Sequence, residues 1–441
     1  MNTKVGVVSL GCDKNRFDTE VMLANLSKGG YEIVSSPEDA DVIIVNTCAF
    51  LESARKEAIQ TAFEMAGYKN TGKCQKLILT GCLGQKFGKE VFDEMHEVDA
   101  VAGIDDYDKI CDIVGDALKG ERKLYQSCAN GITFGDRILT TAPYTAYLKI
   151  ADGCDNYCTY CLIPHIRGRF RSVEMDKIVE QATVLAHSGV KELILVAQDV
   201  TRYGKDLYGE YKLVELLRKL SDIDGIVWIR LLYCYPELID DSLIEEIAAN
   251  DKIVNYIDIP LQHVNEEILR KMNRRSNAES IRNLFKKLTE KGIQVRSTFI
   301  CGFPGETRST IKELETFLLT NKLRNVGFFA YSREKGTPAA KFENQVAEYT
   351  KQSYVNRMYK AQYKVVDELN RTDVGKVFKC IIDKAPEFSH GKYFYVGRTY
   401  FMSPEIDGQV FIVSKKELTV GEFYDVKITD AVDYDLQGEV V

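Results

Sequence analysis

Between about residue 146 and residue 331 the chain repeats one pattern: a short apolar run followed by a stretch with helical spacing. The runs are Ala146–Ile150, Leu193–Val196, Ile226–Leu232, Tyr256–Ile259, Val295–Ile300 and Val326–Tyr331. Alternation of this kind calls for parallel strands with crossover helices. Six such units predict an incomplete (β/α)6 barrel whose site lies at the C-terminal ends of its strands. Polar residues collect at those ends: Gln198-Asp199, Tyr233-Cys234-Tyr235, Gln262-His263 and the turn Gly302-Phe303-Pro304-Gly305-Glu306. The glycines of that turn would let a ligand approach backbone closely, although an ordinary strand-to-helix turn reads the same way. A lysine- and tyrosine-rich helical stretch, Ala347–Leu369, closes this region.

The same alternation occupies residues 1 to about 120, with runs at Val5–Leu10, Val42–Val45, Leu77–Leu79 and Ala100–Ala102, and predicts a smaller parallel α/β domain. Residues 121–145 read as a connecting segment with a hairpin around Asn130-Gly131, ending at Pro143. From Gly375 the character changes to short strands and turns at Lys379–Asp383, Tyr393–Arg398, Gln409–Val413 and Phe423–Thr429, which predicts a small β-barrel or sandwich. The expected class is therefore α/β in three parts. These are an N-terminal α/β domain over 1–125, a partial barrel over 140–372 and a small β domain over 375–441.

The cysteines carry the chemistry. Cys154, Cys158 and Cys161 form a Cys-x₃-Cys-x₂-Cys loop just after a strand, and thiolates are the soft ligands chosen by iron–sulfur clusters and zinc. A structural zinc site is a closed tetrahedron, and His165 is the nearest fourth ligand. Cys12, Cys48 and Cys82 each fall just past the C-terminal end of a different N-terminal strand. Ligands gather at that edge in open α/β sheets, so a second three-cysteine cluster is expected there. The alternative is three unrelated buried thiols. Helices starting just afterwards would aim N-terminal dipoles at these thiolates and favour their ionised form. Cys74, Cys111, Cys128, Cys234, Cys301 and Cys380 share no spacing and read as structural. His96, His187 and His390 read as surface or capping groups, and His263 as a strand-end residue that more often only packs.

Composition narrows the class. A chain of 441 residues exceeds one ordinary core, and 45% hydrophobic with 28% charged residues is globular usage. A net charge of −7 argues against a protein whose main business is gripping phosphate backbones. No apolar run reaches membrane-spanning length and no basic, apolar leader opens the chain, so twelve cysteines read as metal ligands or free thiols in a reducing, cytoplasmic setting. From Gly375 onward there are eight Lys and Arg against eleven Asp and Glu, a balance of −3 that favours a basic protein partner over nucleic acid. Asp433 and Asp435 are the charges expected to dock it.

The Cys154–Cys161 loop, with Tyr160 before its last cysteine, resembles the signature of radical S-adenosylmethionine (SAM) enzymes. Ser9-Leu10-Gly11-Cys12, Asn46-Thr47-Cys48 and Thr80-Gly81-Cys82 are similar to the three cysteine boxes of one subgroup, the radical SAM methylthiotransferases, and the C-terminal part resembles that family's TRAM domain. The likeness covers almost the whole chain. Ser9–Arg16, Ala197–Tyr208 and Pro404–Gly408 look like the branch that modifies an aspartate of the twelfth protein of the small ribosomal subunit. The sister branch modifies an isopentenyladenosine in tRNA, and a cluster-bearing binding protein without catalysis is the remaining alternative.

The resemblance implies two [4Fe–4S] clusters and SAM. The radical cluster would sit on Cys154, Cys158 and Cys161, and the auxiliary cluster on Cys12, Cys48 and Cys82. In the family's logic a 5′-deoxyadenosyl radical removes hydrogen from the substrate β-carbon, which then collects a methylthio group from the auxiliary site. Tyr160, Gln198 and Glu306 are the candidate SAM contacts, with capping as the alternative role for the last two. No catalytic residue beyond the ligands is indicated. The implied partners are the ribosomal protein and an electron donor such as flavodoxin or ferredoxin, with no membrane and only secondary nucleic-acid contact. Both open irons must face one cavity, so the N-terminal sheet's ligand edge must face the top of the barrel.

Overall fold

The computed structural model describes residues 2–127 and 131–441. Its N-terminal part is a six-stranded parallel sheet in the order β2-β1-β3-β4-β5-β6. The strands are β1 (Lys4–Ser9), β2 (Glu32–Val34), β3 (Val42–Thr47), β4 (Lys76–Gly81), β5 (Ala100–Ala102) and β6 (Lys123–Tyr125). Every residue of β3 is buried, as expected of a central strand with helices over both faces. Those helices are α1 (Asp13–Lys28), α2 (Glu52–Thr71), α3 (Cys82–Glu94) and α4 (Ile110–Leu118). Two strands were not foreseen. β2 and β6 are three-residue strands at the two edges, too short and too exposed to show a period. β6 also corrects the reading of 121–145 as purely connecting, because Lys123–Tyr125 pairs in parallel with β5. The hairpin expected around Asn130-Gly131 falls partly on residues 128–130, outside the described residues.

The central part contains all six foreseen strands: β7 (Thr145–Lys149), β10 (Glu192–Val196), β11 (Trp228–Leu231), β12 (Ile253–Gln262), β13 (Gln294–Cys301) and β14 (Asn325–Ala330). A small ladder, β8 (Ala151–Asp152) with β9 (Arg171–Ser172), lies between the first two. The six pair in parallel in the order β14-β13-β12-β11-β10-β7, with β7 and β14 as the two edges. Alternate residues face opposite sides. Leu148, Leu193, Leu195, Ile229 and Leu231 pack under the outer helices. Tyr147, Ile194, Val196, Trp228, Leu232 and Tyr256 face the concave side.

What fills that concave side is the C-terminal domain. Its strands β15 (Val377–Ser389), β16 (Lys392–Thr399), β17 (Val410–Ser414), β18 (Phe423–Val432) and β19 (Asp435–Val440) close a barrel in the order β15-β16-β17-β19-β18. Of the expected barrel or sandwich, the barrel is found. β19 was missed because only Leu436 and Gly438 turn inward from an otherwise polar segment. Ile381, Phe401, Val410 and Ile412 share one core with Ile194, Val196 and Trp228. The Trp228 and Phe423 rings meet edge to face, 4.7 Å between centroids. Glu192, fully buried, accepts from Arg230 at 3.0 Å and from Arg398 of β16 at 2.8 Å. Although burial raises the carboxyl pKa, the two guanidiniums hold it down at about 2. The Pro404–Gly408 loop reaches further, as Asp407 accepts from Tyr256 at 2.8 Å and Glu405 pairs with Arg16 of α1 at 3.0 Å.

Asp433 and Asp435 prove to be engaged in the fold. Asp433 accepts from the Tyr363 hydroxyl at 3.0 Å, and Asp435 accepts from the Gln409 N–H at 2.8 Å. Asp433 remains exposed and Asp435 half-buried. Among the described residues, no helix is long and apolar enough to cross a membrane.

Candidate active site

In the N-terminal sheet, β1, β3 and β4 are adjacent and level, with Ser9 opposite Asn46 and Asn46 opposite Thr80. Neighbouring strands lie about 4.8 Å apart, so three successive strand ends span about 10 Å. Cys12 caps α1, Cys48 follows β3 and Cys82 opens α3, which brings the three thiols together at that edge. The cradle is tight. A Cβ on Gly11 would lie 2.7 Å from the Cys48 Cβ, and one on Gly81 (φ +97°) would lie 2.3 Å from the Asn46 amide oxygen. Asn15, fully buried one helical turn into α1, ties the edge together by donating to Leu10 and Thr47 carbonyls at 3.1 and 2.9 Å.

The second trio sits on the loop between β8 and α5 (Ile163–Ile166), with Cys154 and Cys158 buried and Cys161 half-buried. The loop is stapled from below. Thr159 donates to the Met272 and Lys271 carbonyls at 3.1 and 2.8 Å, and Asn273 donates to those of Asn156 and Tyr157 at 3.2 and 3.0 Å. Arg274 places Nη1 3.9 Å from the Cys158 sulfur while its guanidinium stacks 4.2 Å over Tyr235. The Ile163 N–H donates to the Cys161 sulfur at 3.4 Å.

All six thiols are free. Burial pushes Cys82 up to about 12 and Cys154 up to about 11, and it raises Cys48 and Cys161 as well. In all four, desolvation by burial is the largest cause and disfavours the thiolate. Soft metal binding is what would ionise them. Among the described residues, no group of three or more His, Cys, Asp or Glu side chains is placed to hold a single metal ion. His165 is exposed and does not complete the second trio, so zinc loses its fourth ligand. Trios of thiolates suit a polynuclear cluster, whose ligands attach to different irons. The donor sets therefore fit two iron–sulfur clusters.

The two domains pack together beside these sites. Leu162 and Ile166, just after the second trio, are buried in the N-terminal core. Tyr233, past the end of β11, donates to Asp13 at 2.9 Å, and the Lys14 ammonium lies 3.1 Å over its ring. Between the sites runs a buried charged network. Arg167 donates to Asp18 at 2.7 Å, to Asp152 at 3.0 Å and to Asn15 at 2.6 Å, and it lies 3.6 Å from the Cys82 sulfur. Lys149 donates to Asp18 at 2.5 Å. Although burial raises the Asp152 carboxyl, Arg167 and Lys149 hold it well below the usual carboxylate range. This network was missed from sequence. Its signals were a lysine inside the apolar run Tyr147–Ile150 and an arginine six positions past the last cysteine of the loop.

The three candidate SAM contacts lie on the barrel side. Gln198 donates to Asp152 at 2.9 Å, and its buried Oε1 has no partner among the described residues. Glu306 accepts from the Gly302 and Phe303 N–H groups at 2.6 and 2.9 Å, so one oxygen caps the turn while the other is unpartnered. That free oxygen is 3.8 Å from His263 Nε2, also unpartnered, on a histidine buried completely. Tyr160 packs edge to face with Phe303, 6.4 Å between centroids. Cys74, Cys234, Cys301 and Cys380 are buried among core residues and Cys111 is half-buried, consistent with structural thiols, while Cys128 lies outside the described residues. His96, His187 and His390 are exposed.

Three family descriptions match along the chain: "Uncharacterized protein family UPF0004" over residues 4–103, "Radical SAM superfamily" over 148–318 and "TRAM domain" over 374–441. The ribosomal protein uS12 methylthiotransferase RimO of Clostridium botulinum is 48% identical over 442 residues, covering 99% of this chain and 98% of that protein. Its counterpart in Acetivibrio thermocellus is 47% identical over 452 residues, covering 100% and 99%. The chain belongs to the uS12 methylthiotransferase RimO family. Among solved structures, the radical SAM methyltransferase TsrM from Kitasatospora setae, with cobalamin and a [4Fe-4S] cluster bound, superposes with a TM-score of 0.55 at 13% identity, covering 89% of this chain and 81% of that one. The cobalamin-dependent radical enzyme OxsB gives 0.51 at 11% identity, covering 82% and 56%. These distant likenesses speak for the architecture, and the RimO relatives speak for the family.

Proposed function

We propose that this chain is a radical SAM methylthiotransferase that adds a methylthio group to the β-carbon of an aspartate in ribosomal protein uS12. The observation that supports the chemistry is the buried Arg167, which follows one cysteine trio in sequence and lies against Cys82 of the other. The substrate follows from near-half identity over the full length to RimO proteins. When bound, two [4Fe–4S] clusters and SAM supply the one-electron chemistry needed to open an unactivated C–H bond, which no side-chain acid–base pair can do.

The chain's own residues hold and enclose that chemistry. Cys154, Cys158 and Cys161 would carry the radical cluster, and Cys12, Cys48 and Cys82 the auxiliary one. Arg274 and Tyr235 cover Cys158 and shield it from water. Gln198 and Glu306, each with a free buried oxygen, and Tyr160 beside Phe303 are the groups assigned to SAM. The C-terminal barrel seals the concave side of the sheet, so substrate enters from the strand-end side. Boundaries at 1–125, 140–372 and 375–441 fit this division of labour. A small redox protein such as flavodoxin or ferredoxin would deliver electrons. RNA contact through the TRAM domain is secondary, and a cytoplasmic setting suits both substrate and thiols.

Mass spectra of uS12 and of tRNA nucleosides, from cells with and without the gene, test the substrate. The methylthio group should vanish from uS12 alone. Unchanged uS12 together with lost methylthiolated nucleosides would overturn the reading in favour of tRNA.

A further inference from the structure

We infer that Arg167 is a positioning residue that registers the two cluster sites against each other and raises the reduction potential of the auxiliary cluster through its contact with Cys82. The inference rests on the assignment of Cys12, Cys48 and Cys82 as cluster ligands. Arg167 belongs to the radical SAM loop region by sequence, yet its guanidinium is buried at the N-terminal domain's ligand edge, 3.6 Å from a thiol of the other trio. Its orientation is over-determined. One nitrogen donates to both Asp18 and Asp152, and the other donates to the Asn15 amide oxygen while facing Cys82.

Asn15 is itself held by two strand-end carbonyls, and its Oδ1 lies 3.6 Å from the same sulfur. On the other side, Asp152 accepts from Gln198 at the end of β10. An unbroken chain of polar contacts thus runs from the barrel strand through Asp152 and Arg167 to an auxiliary ligand. A fork of five fixed donors suits this, whereas a lysine ammonium would satisfy the carboxylates without aiming a planar N–H at sulfur.

A positive charge and an N–H aimed at a cluster thiolate stabilise the reduced cluster more than the oxidised one, since reduction adds negative charge. Arg167 is the cation that the structure places on Cys82. The radical-site trio has its own arginine in Arg274, near Cys158, so each site carries a separate tuning group.

The test uses full-length protein in which Cys154, Cys158 and Cys161 are alanine, so that only the auxiliary cluster is reconstituted. Removing Arg167 alone would strand two buried carboxylates, so the comparison is Asp18→Asn against Asp18→Asn/Arg167→Gln, which keeps the pocket's charge balanced with Lys149 facing Asp152. Potentiometric titration followed by electron paramagnetic resonance should show a shift to lower potential in the double variant. An unchanged potential and unchanged spectrum overturn the inference while leaving the ligand assignment intact. Should the double variant not fold, Arg167→Lys decides. A lowered potential or an altered signal supports the role of the fork, and parent-like values overturn it. If the triple-alanine parent binds no [4Fe–4S] cluster, the ligand assignment fails and takes this inference with it.

Discussion

Cys82 shows how one residue acquires its role from three directions. It opens α3 at the end of a strand, it is buried, and it lies under the guanidinium of another domain. As a neutral thiol in a desolvated site it is inert, and a soft metal is what turns it into a ligand. Anaerobic reconstitution followed by iron and sulfide analysis checks both trios. Cys82→Ala and Cys158→Ala should each bind about half the parent's iron, with the spectrum of the other cluster preserved, since a cluster losing one of three protein thiolates is poorly held. Parent-like iron in either variant would remove that cysteine from the ligand set. At this scale the six cysteines were legible because their flanks and strand-end positions carry the signal. Asn15, Asp18, Lys149, Asp152 and Arg167 were not, because a buried ion network is defined by contacts between residues up to 152 positions apart.

Among the elements, β10 carries most of the joint between the two C-terminal parts. Its outward residues serve the helices, and its inward Glu192 meets Arg230 and Arg398 in a site closed to water. Arg398→Ala would leave Glu192 short of a partner in a buried site, which costs about 3–5 kcal/mol. Urea unfolding followed by tryptophan fluorescence would read this, because Trp228 meets Phe423 edge to face across the joint. The same pair gives the joint an acid limb. The Glu192 pKa falls from 4.5 to about 2 on folding, so its contribution is complete above pH 4.5 and is lost as pH drops toward 2. At about 1.4 kcal/mol per pKa unit, that is on the order of 3 kcal/mol. In the parent, fluorescence should hold to below pH 4 and then change, and in Arg398→Ala the change should move to higher pH. Identical acid transitions would show that the ion network does not carry the joint.

For the whole molecule, the C-terminal barrel is part of the catalytic domain's core. Removing residues 374–441 would bare Ile194, Val196, Trp228, Leu232 and Val254, a contiguous apolar face on the concave side of the sheet. A chain ending at residue 373 should therefore aggregate or bind a hydrophobic dye strongly. A soluble, monomeric truncation that still holds both clusters would show that the domain is a detachable appendage. The loop Pro404–Gly408 adds a reason for coupling, since it touches α1 through Glu405 and the barrel interior through Asp407. This one loop thus touches all three parts of the chain.

Local pattern determined much of this protein. Apolar runs of strand length between helical stretches dictate parallel sheets, and thiols placed at strand ends dictate where ligands gather, because both follow from spacing along the chain. The three-residue edge strands β2 and β6 escaped because they are too short to display a period, and β19 because half of its residues face solvent. Tertiary structure alone decided which faces meet: the small barrel inside the concave sheet, and Arg167 of one domain against Cys82 of another. Such contacts depend on the packing of whole surfaces, whose burial energy is non-directional and leaves no mark in the periodicity of any one segment.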